Sequence, residues 1–262
     1  MGNLPQVRVS PPSRAFLNYG LDYAGPILIR SMSGRGIASR KAYIVIIICM
    51  ATRAAHLEIV DGYATPSFLA AYARFVARRG LPESIYSDNE TTFVGADREM
   101  TIAFRAALRN SDFQNQTATD NTSWYFIPPS ASHFDGLWEA GVRSIKHHLR
   151  RMIGAHTLTY EEMSTLLYSI EACLNSRPLA PLSDALDNYE PLTPGHFLIG
   201  GALTARPEPS TLNIKESRLT RWQLVRQITE QFWKSSRVIM LTLSSKELSG
   251  DADFKPMFAL SS

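Results

Sequence analysis

Hydrophobic positions divide the first part of the chain into short β-rich runs followed by an amphipathic stretch. The β-rich runs lie at residues 16–29, 42–50 and 53–60, and three strands in close succession predict an antiparallel meander. Thr65-Pro66 then has the composition of a helix start, with proline at the first helical position. The helical pattern continues to Arg79 and ends at Gly80-Leu81-Pro82.

Strands and helices alternate beyond this first helix. Thr159 with Glu162 three residues later predicts a capping box at the start of one helix. The polar segment 111–123 lacks periodicity and is predicted to be a surface loop. The remaining predicted elements are strands at 84–87 and 124–127, helices at 91–110, 137–153, 159–176 and 217–234, and a movable loop at 128–136.

This order of elements is typical of an α/β fold in which helices flank a mixed five-stranded sheet. It is compatible with a ribonuclease-H-like fold, although periodicity does not single that fold out. The chain continues into a loop-rich C-terminal extension. We expect an extended lead-in at 1–15, a core domain at 16–176, a proline-rich extension with an amphipathic helix at 177–234, and a divergent, weakly patterned tail at 235–262.

Composition excludes several classes of protein. With 45% hydrophobic and 19% charged residues among 262, the chain is globular rather than disordered. Its net charge of +3 does not by itself indicate nucleic acid binding. Cys49 and Cys173 lack the spacing of a zinc site, which favours a reducing, intracellular compartment. The most apolar run, residues 42–51, is too short to span a membrane, so no membrane association is expected.

Two aspartates occupy positions that call for a reason. Asp22 lies in the middle of a predicted strand, where aspartate is uncommon, and Asp88 follows the carboxyl end of another strand. Carboxylates that converge on one point can hold the two divalent ions of phosphoryl transfer. The ordinary alternatives are a strand aspartate bonded to a nearby backbone amide for Asp22, and an Asx turn for Asp88.

Glu139 is an acidic residue in a basic helix. At helical spacing it shares one face with Arg143, Lys146 and Arg150. A solvated Glu139–Arg143 ion pair is the ordinary alternative, but residues 139–151 hold four Lys/Arg against one Glu, with possible added charge from His147 and His148. This excess suits a phosphate backbone. His133, in the preceding loop, could orient a phosphate or a water, or simply be polar surface. His56 and His196 have no companions for a metal site.

These residues lie in segments that resemble the integrase catalytic domain of long-terminal-repeat retroelements, most closely that of Bel/Pao-type retrotransposons. The resemblance covers about 200 residues, with the segments in the same order. They are GLDYAGP (20–26), RRGLPESIYSDNETTF (78–93), IPPSASHFDGLWEAGVRSIKHHLRR (127–151), LNSRPLAPLSD (174–184) and LTPGHFLIG (192–200).

The resemblance implies a ribonuclease-H-like fold and a DDE site that binds two Mg²⁺ or Mn²⁺ ions. Asp22 and Asp88 would bridge the ions and Glu139 would complete one coordination shell. Arg143 and Lys146, with Arg150 on the same face, would contact DNA. The implied activity is trimming of element DNA ends followed by strand transfer into target double-stranded DNA, by a homo-oligomer that acts in the nucleus.

The chain also departs from the pattern of such integrases. Fifty residues separate Asp88 from Glu139, more than is usual, and the loop 111–123 is the expected insertion. Glu90 and Asp135 replace glycines and add negative charge near the expected ions. The zinc-binding amino-terminal domain is not seen, so a fragment of a longer reading frame is expected. Two alternatives to an active integrase remain: a catalytically idle DNA-binding remnant, and a nuclease without strand transfer. The nuclease is disfavoured because the flanking segments match integrases.

Overall fold

The computed structural model describes residues 14–32, 34, 36–62, 65–88, 123–127, 132–153, 156–181, 191–203 and 208–248. The predicted helix at 91–110 and most of the loop at 111–123 lie outside this description. The same holds for residues 128–131, Glu90, nearly all of the lead-in and the last part of the tail.

A mixed sheet forms the centre of the fold. Its strands are β1 (Asn18–Arg30), β2 (Ser39–Cys49), β3 (Ala55–Val60), β4 (Ser84–Asp88) and β5 (Ser123–Ile127), in the order β3-β2-β1-β4-β5. The first three strands pair antiparallel, as predicted for the meander. Strands β4 and β5 add in parallel on the other side of β1.

The predicted mixed five-stranded sheet with flanking helices is confirmed, and this strand order with one antiparallel strand is the ribonuclease-H-like arrangement. A sixth, two-residue strand, β6 (Leu158–Thr159), also pairs with β1. Among the described residues, no helix is both long and apolar enough to cross a membrane.

Two hydrophobic cores lie on opposite faces of the sheet. Strand β2 contributes Ile44, Ile46 and Ile48 to one core and Val45 and Ile47 to the other. Successive residues of a strand face opposite sides, so its uninterrupted apolar sequence is what a strand covered on both faces requires. The sheet is therefore the middle layer of three.

Helix α1 (Thr65–Arg79) covers one face, with bounds that match the prediction. Its Phe68, Tyr72 and Phe75 pack against the sheet. Gly80 follows in the left-handed region at φ 82° and donates its N–H to the Val76 carbonyl at 2.8 Å. This is the usual way for glycine to end a helix.

Helix α2 (Ser132–Ile153) covers the opposite face and begins five residues before the predicted Leu137. The prediction of a loop through Gly136 is therefore wrong for residues 132–136. A serine at the start and Asp135 in the first turn suit a helix N-terminus, and one glycine costs only about 1 kcal/mol there. Val142, Ile145, Leu149 and Ile153 are the buried stripe of α2.

Helix α3 (Tyr160–Asn175) contributes to the same hydrophobic core as α2 and begins with the predicted capping box. Its side chains bond to the main chain of β3, the last strand on that side of the sheet. Asn175 Oδ1 accepts the Ala55 N–H at 2.7 Å, and Asn175 Nδ2 donates to the Ala55 carbonyl at 2.8 Å. Glu171 Oε2 accepts the Leu57 N–H at 2.9 Å. Side chains of α3 thus take the place of a neighbouring strand.

The C-terminal extension contains more regular structure than its sequence predicted. A two-residue strand pair, β7 (Ala180–Pro181) with β8 (Pro191–Leu192), precedes the short helix α4 (Pro194–Ile199). Helix α5 (Arg221–Leu248) follows a 3-10 turn and extends fourteen residues beyond the predicted end at Lys234. Residues 235–248 contain neither glycine nor proline, so nothing in them stops the helix.

Helix α5 belongs to the same core as α2 and α3. Its Leu224, Val225, Ile228 and Phe232 are buried in the cluster that covers this face of the sheet. The Arg221 guanidinium hydrogen-bonds to Glu162, the capping-box residue of α3, at 2.8 Å. This hydrogen bond is the main reason why the pKa of Glu162 is lowered from 4.5.

Candidate nucleic-acid and metal site

The register between β1 and β4 brings two of the predicted acids to adjacent positions. The two parallel strands pair from Asn18↔Ser84 to Leu21↔Ser87. The next residues on these strands are Asp22 and Asp88. The backbones of both acids therefore lie side by side in the central strands, as the predicted carboxylate cluster requires. The Asp88 side chain lies outside the description.

Asp22 is held from two sides. Its Oδ1 accepts a hydrogen bond from the backbone N–H of Tyr23 at 2.6 Å. This is the bond to a nearby backbone amide that the sequence analysis gave as the ordinary alternative for Asp22. Its Oδ2 lies 2.6 Å from the Lys146 ammonium of α2. The Asp22 side chain is only 10% exposed and that of Lys146 is 21% exposed, so water screens this ion pair less than one on the surface.

The contact with Lys146 fixes α2 against β1 at the level of Asp22. Glu139 lies on the same helix, seven residues before Lys146, or about 10 Å along the helix axis at 1.5 Å per residue. The Glu139 side chain is not among those that the structure describes, so its roles as catalytic residue and metal ligand stay predictions. The same is true of His133, whose backbone lies in the first turn of α2 rather than in a loop.

Two further predicted DNA-binding residues lie on α2 near this contact. Arg143 and Arg150 are exposed, as a phosphate-binding residue must be. Lys146 and Arg150 also line a cavity of about 260 Å³ between the end of β1 and the end of α2. Ile27, Ile44 and Leu149 form part of its apolar lining. His156 lies at its edge, 3.3 Å from Glu216.

His147 and His148 differ in environment. His148 is buried, with its ring edge-on to Phe232 of α5 at 6.2 Å. Burial, followed by the charges of His147 and Arg151, lowers the pKa of His148 from 6.5. The burial of this ring and its lowered pKa both disfavour the positive charge that His148 could add to the basic face. His147 is exposed.

His56 has neighbours that the sequence did not indicate. It is fully buried, with Nε2 3.5 Å from Glu58 and Nδ1 3.3 Å from Glu171. Arg74 pairs with Glu58 at 2.9 Å and Arg79 with Glu171 at 2.5 Å, so guanidinium groups already neutralise both carboxylates. The cluster joins α1, β3 and α3 and is structural. His196 caps α4 through the Thr193 N–H at 3.0 Å.

Among the side chains that the structure describes, no three His, Cys, Asp or Glu residues come together as a metal site. The chemistry around Asp22 nevertheless fits a hard divalent cation. A carboxylate oxygen is the ligand that Mg²⁺ and Mn²⁺ prefer, and the ammonium already on Oδ2 shows that this position stabilises positive charge.

The structure thus brings Asp22, the Asp88 position and Lys146 together. The sequence analysis had assigned Lys146 to DNA and did not predict its contact with Asp22. The only signal for this contact in the sequence was the helical spacing that puts Lys146 and Glu139 on one face of the helix. A lysine two turns after Glu139 on that face can reach the strand that carries Asp22.

No known family model matches this sequence, and no curated protein matches it. Among solved structures, the chain is similar to the catalytic core domain of BIV integrase, with 12% identity, a TM-score of 0.43, and coverage of 71% of this chain and 95% of that one. It is also similar to a chain of the simian T-cell lymphotropic virus intasome in complex with PP2A regulatory subunit B56 gamma, with 12% identity and a TM-score of 0.46. That match covers 82% of this chain and 66% of the other.

Proposed function

We propose that this chain is the catalytic core of an integrase of a long-terminal-repeat retrotransposon, similar to the Bel/Pao type. Its reaction would be metal-dependent trimming of DNA 3′ ends and strand transfer, which makes it a polynucleotidyl transferase. The observation that carries the proposal is the β1–β4 register, because it sets Asp22 and Asp88 side by side. The ordered sequence segments around both acids and Glu139 support it.

Asp22, Asp88 and Glu139 are proposed to hold two Mg²⁺ or Mn²⁺ ions. When bound, such ions activate a hydroxyl nucleophile and stabilise the leaving oxygen. The protein's own part is to fix the acids before DNA arrives. The Tyr23 N–H holds one oxygen of Asp22, and the central strand that carries Asp22 is packed on both faces, so the carboxylate needs little reorganisation.

The basic face of α2 is proposed to bind the DNA backbone. Arg143, Lys146 and Arg150 would contact phosphates, and His133 would orient a phosphate or a water. Such contacts are independent of sequence and give strong salt dependence. The partner would be double-stranded DNA, both element ends and target. Work on chromosomal DNA would require a nuclear location, and joining two ends would require a homo-oligomer.

One observation favours a second candidate, a DNA-binding protein without catalytic activity. The Lys146 ammonium neutralises Asp22 without any metal, which a protein that only binds DNA could retain. Glu90 and Asp135, in place of glycines, would also suit a site that no longer has to bind metal and DNA together.

The experiment is a strand-transfer and disintegration assay on a branched DNA substrate with Mn²⁺, in parallel with DNA binding. Asp22→Asn, Asp88→Asn and Glu139→Gln should each lower activity at least about 100-fold, the scale of losing one preorganised electrostatic group. Glu161→Gln, an exposed acid on α3, is the matched control and should leave activity unchanged.

Two outcomes decide between the candidates. DNA binding without any activity of the wild-type protein would favour the idle protein. Wild-type activity that survives Glu139→Gln would overturn the site assignment.

A further inference from the structure

The ion pair between Lys146 and Asp22 joins two residues to which the proposed function gives different partners. Asp22 is assigned to the metal and Lys146 to DNA. In the structure the ammonium lies 2.6 Å from Asp22 Oδ2, well within an ion pair. A divalent cation that coordinates this carboxylate closely would meet the ammonium there, and two positive charges this close together repel each other.

We propose that Lys146 is a positioning residue that couples metal binding to DNA binding. The inference rests on the proposed function. Without metal, Lys146 serves as the counter-ion of Asp22 and keeps a largely buried carboxylate compensated. When a divalent ion takes the Asp22 oxygen, the ammonium is displaced and becomes available to a DNA phosphate.

The surroundings of Lys146 provide a place for the displaced ammonium. The same side chain lines the cavity that Arg150 and His156 also line, and lysine has a flexible four-carbon stem that allows two positions. Lys146 and Arg150 are four residues apart on the same helix, so they lie on one face of it. No carboxylate is part of its lining among the described residues, and Arg150 adds an exposed guanidinium to it.

The coupling works in both directions. A metal ion that displaces Lys146 strengthens phosphate binding, and a phosphate that draws Lys146 away removes the competitor of the metal. Linkage requires the two factors to be equal. Couplings of this kind are about 5- to 150-fold. Metal and DNA would then assemble together on the protein rather than independently.

The test measures Mn²⁺ affinity by calorimetry, without DNA, for the wild-type protein and two variants. Lys146→Met should bind Mn²⁺ about fivefold or more tightly than wild type, because the competing ammonium is gone. Arg143→Met is the matched control. It removes one exposed cation from the same helix, one turn away, and should leave Mn²⁺ affinity within about twofold, because solvent screens an exposed charge.

The second measurement is the affinity for a labelled blunt-ended DNA duplex, by anisotropy, with and without Mn²⁺. Asp22→Asn supplies the background effect of Mn²⁺ on DNA binding alone. Relative to it, Mn²⁺ should tighten binding of wild type and of Arg143→Met, and this gain should disappear in Lys146→Met. Circular dichroism checks each fold, and Lys146→Gln replaces Lys146→Met if the latter does not fold.

Equal Mn²⁺ affinity in wild type and Lys146→Met, with the DNA gain retained, would overturn the coupling and leave the proposed function intact. No Mn²⁺ binding by either protein would overturn the proposed metal site and the coupling with it. Weaker Mn²⁺ binding in Lys146→Met would show that Lys146 supports the metal rather than competing with it, which also contradicts the inference.

Discussion

Asn175→Ala tests how strongly helix α3 is bonded to strand β3. The Asn175 side chain is 1% exposed and holds both main-chain groups of Ala55, at 2.7 and 2.8 Å. Alanine removes both partners and leaves a donor and an acceptor without bonds in a buried position. Each such loss costs about 1–3 kcal/mol, so the free energy of unfolding should fall by about 2–6 kcal/mol. This loss is a large fraction of the free energy of unfolding of a typical protein, which is about 5–15 kcal/mol.

The assay is urea denaturation followed by far-UV circular dichroism, with the midpoint and the slope fitted separately. The midpoint should fall while the slope stays constant, because the unfolded chain exposes the same surface. Ser176→Ala is the control. Its hydroxyl bonds to the Ala172 carbonyl at 2.8 Å in an exposed position, and its loss should change stability by less than about 0.5 kcal/mol.

Native-state hydrogen exchange locates the effect. In Asn175→Ala the amide of Ala55 should exchange faster, while that of Leu57, bonded to Glu171, should change less. A variant that matches the control in stability and keeps Ala55 protected would refute the reasoning. It would mean that other groups or water replace Asn175 at no cost.

Three further predictions concern pH, backbone and DNA. Burial lowers the pKa of His56 from 6.5, so below that pH the unfolded chain binds more protons than the folded protein. The urea midpoint should therefore fall as the pH drops from 7 to 5, and His56→Gln should make the midpoint depend less on pH. Gly25 has φ 134°, and a Cβ there would meet the Tyr43 ring at 2.9 Å. Gly25→Ala should therefore destabilise the folded protein by about 1–3 kcal/mol, and an unchanged melting temperature would contradict this. Arg150→Met should weaken DNA binding and reduce its log–log salt slope by about one, whereas an unaltered slope would remove Arg150 from the interface.

The pH prediction has a second part at lower pH. Burial would raise the pKa of Glu171, but the hydrogen bond and charge of His56, the Leu57 N–H and Arg79 together lower it below 4.5. Its contribution to stability is complete above 4.5 and is lost as pH falls through the lowered value. In the otherwise unchanged protein, Glu171→Gln should therefore reduce the loss of stability as the pH falls below 4.5.

Elements with local signals were predictable from the sequence. Helix Thr65–Arg79 has proline in its first turn and glycine just after its end, and both bounds are confirmed. The capping box of Thr159 and Glu162 is confirmed for the same reason. Both signals act within a few residues, where the sequence pattern and the physical cause coincide.

Features that depend on distant contacts were not predictable. The helix beyond Lys234 lacks a regular polar and apolar pattern, and only the absence of glycine and proline allows it. The Lys146–Asp22 ion pair joins residues 124 positions apart, and the bonds of Asn175 to Ala55 span 120. Such contacts follow from how α2 and α3 dock on the sheet, and that docking leaves no local trace in the sequence.

The way in which α3 covers β3 limits how this protein can associate with other chains. An exposed outer strand offers a row of unpaired main-chain groups that invites sheet extension, strand exchange and aggregation. On this side the groups of Ala55 and the amide of Leu57 are already occupied. A second copy therefore cannot pair a strand with Ala55 and Leu57 unless it first displaces the side chains of α3.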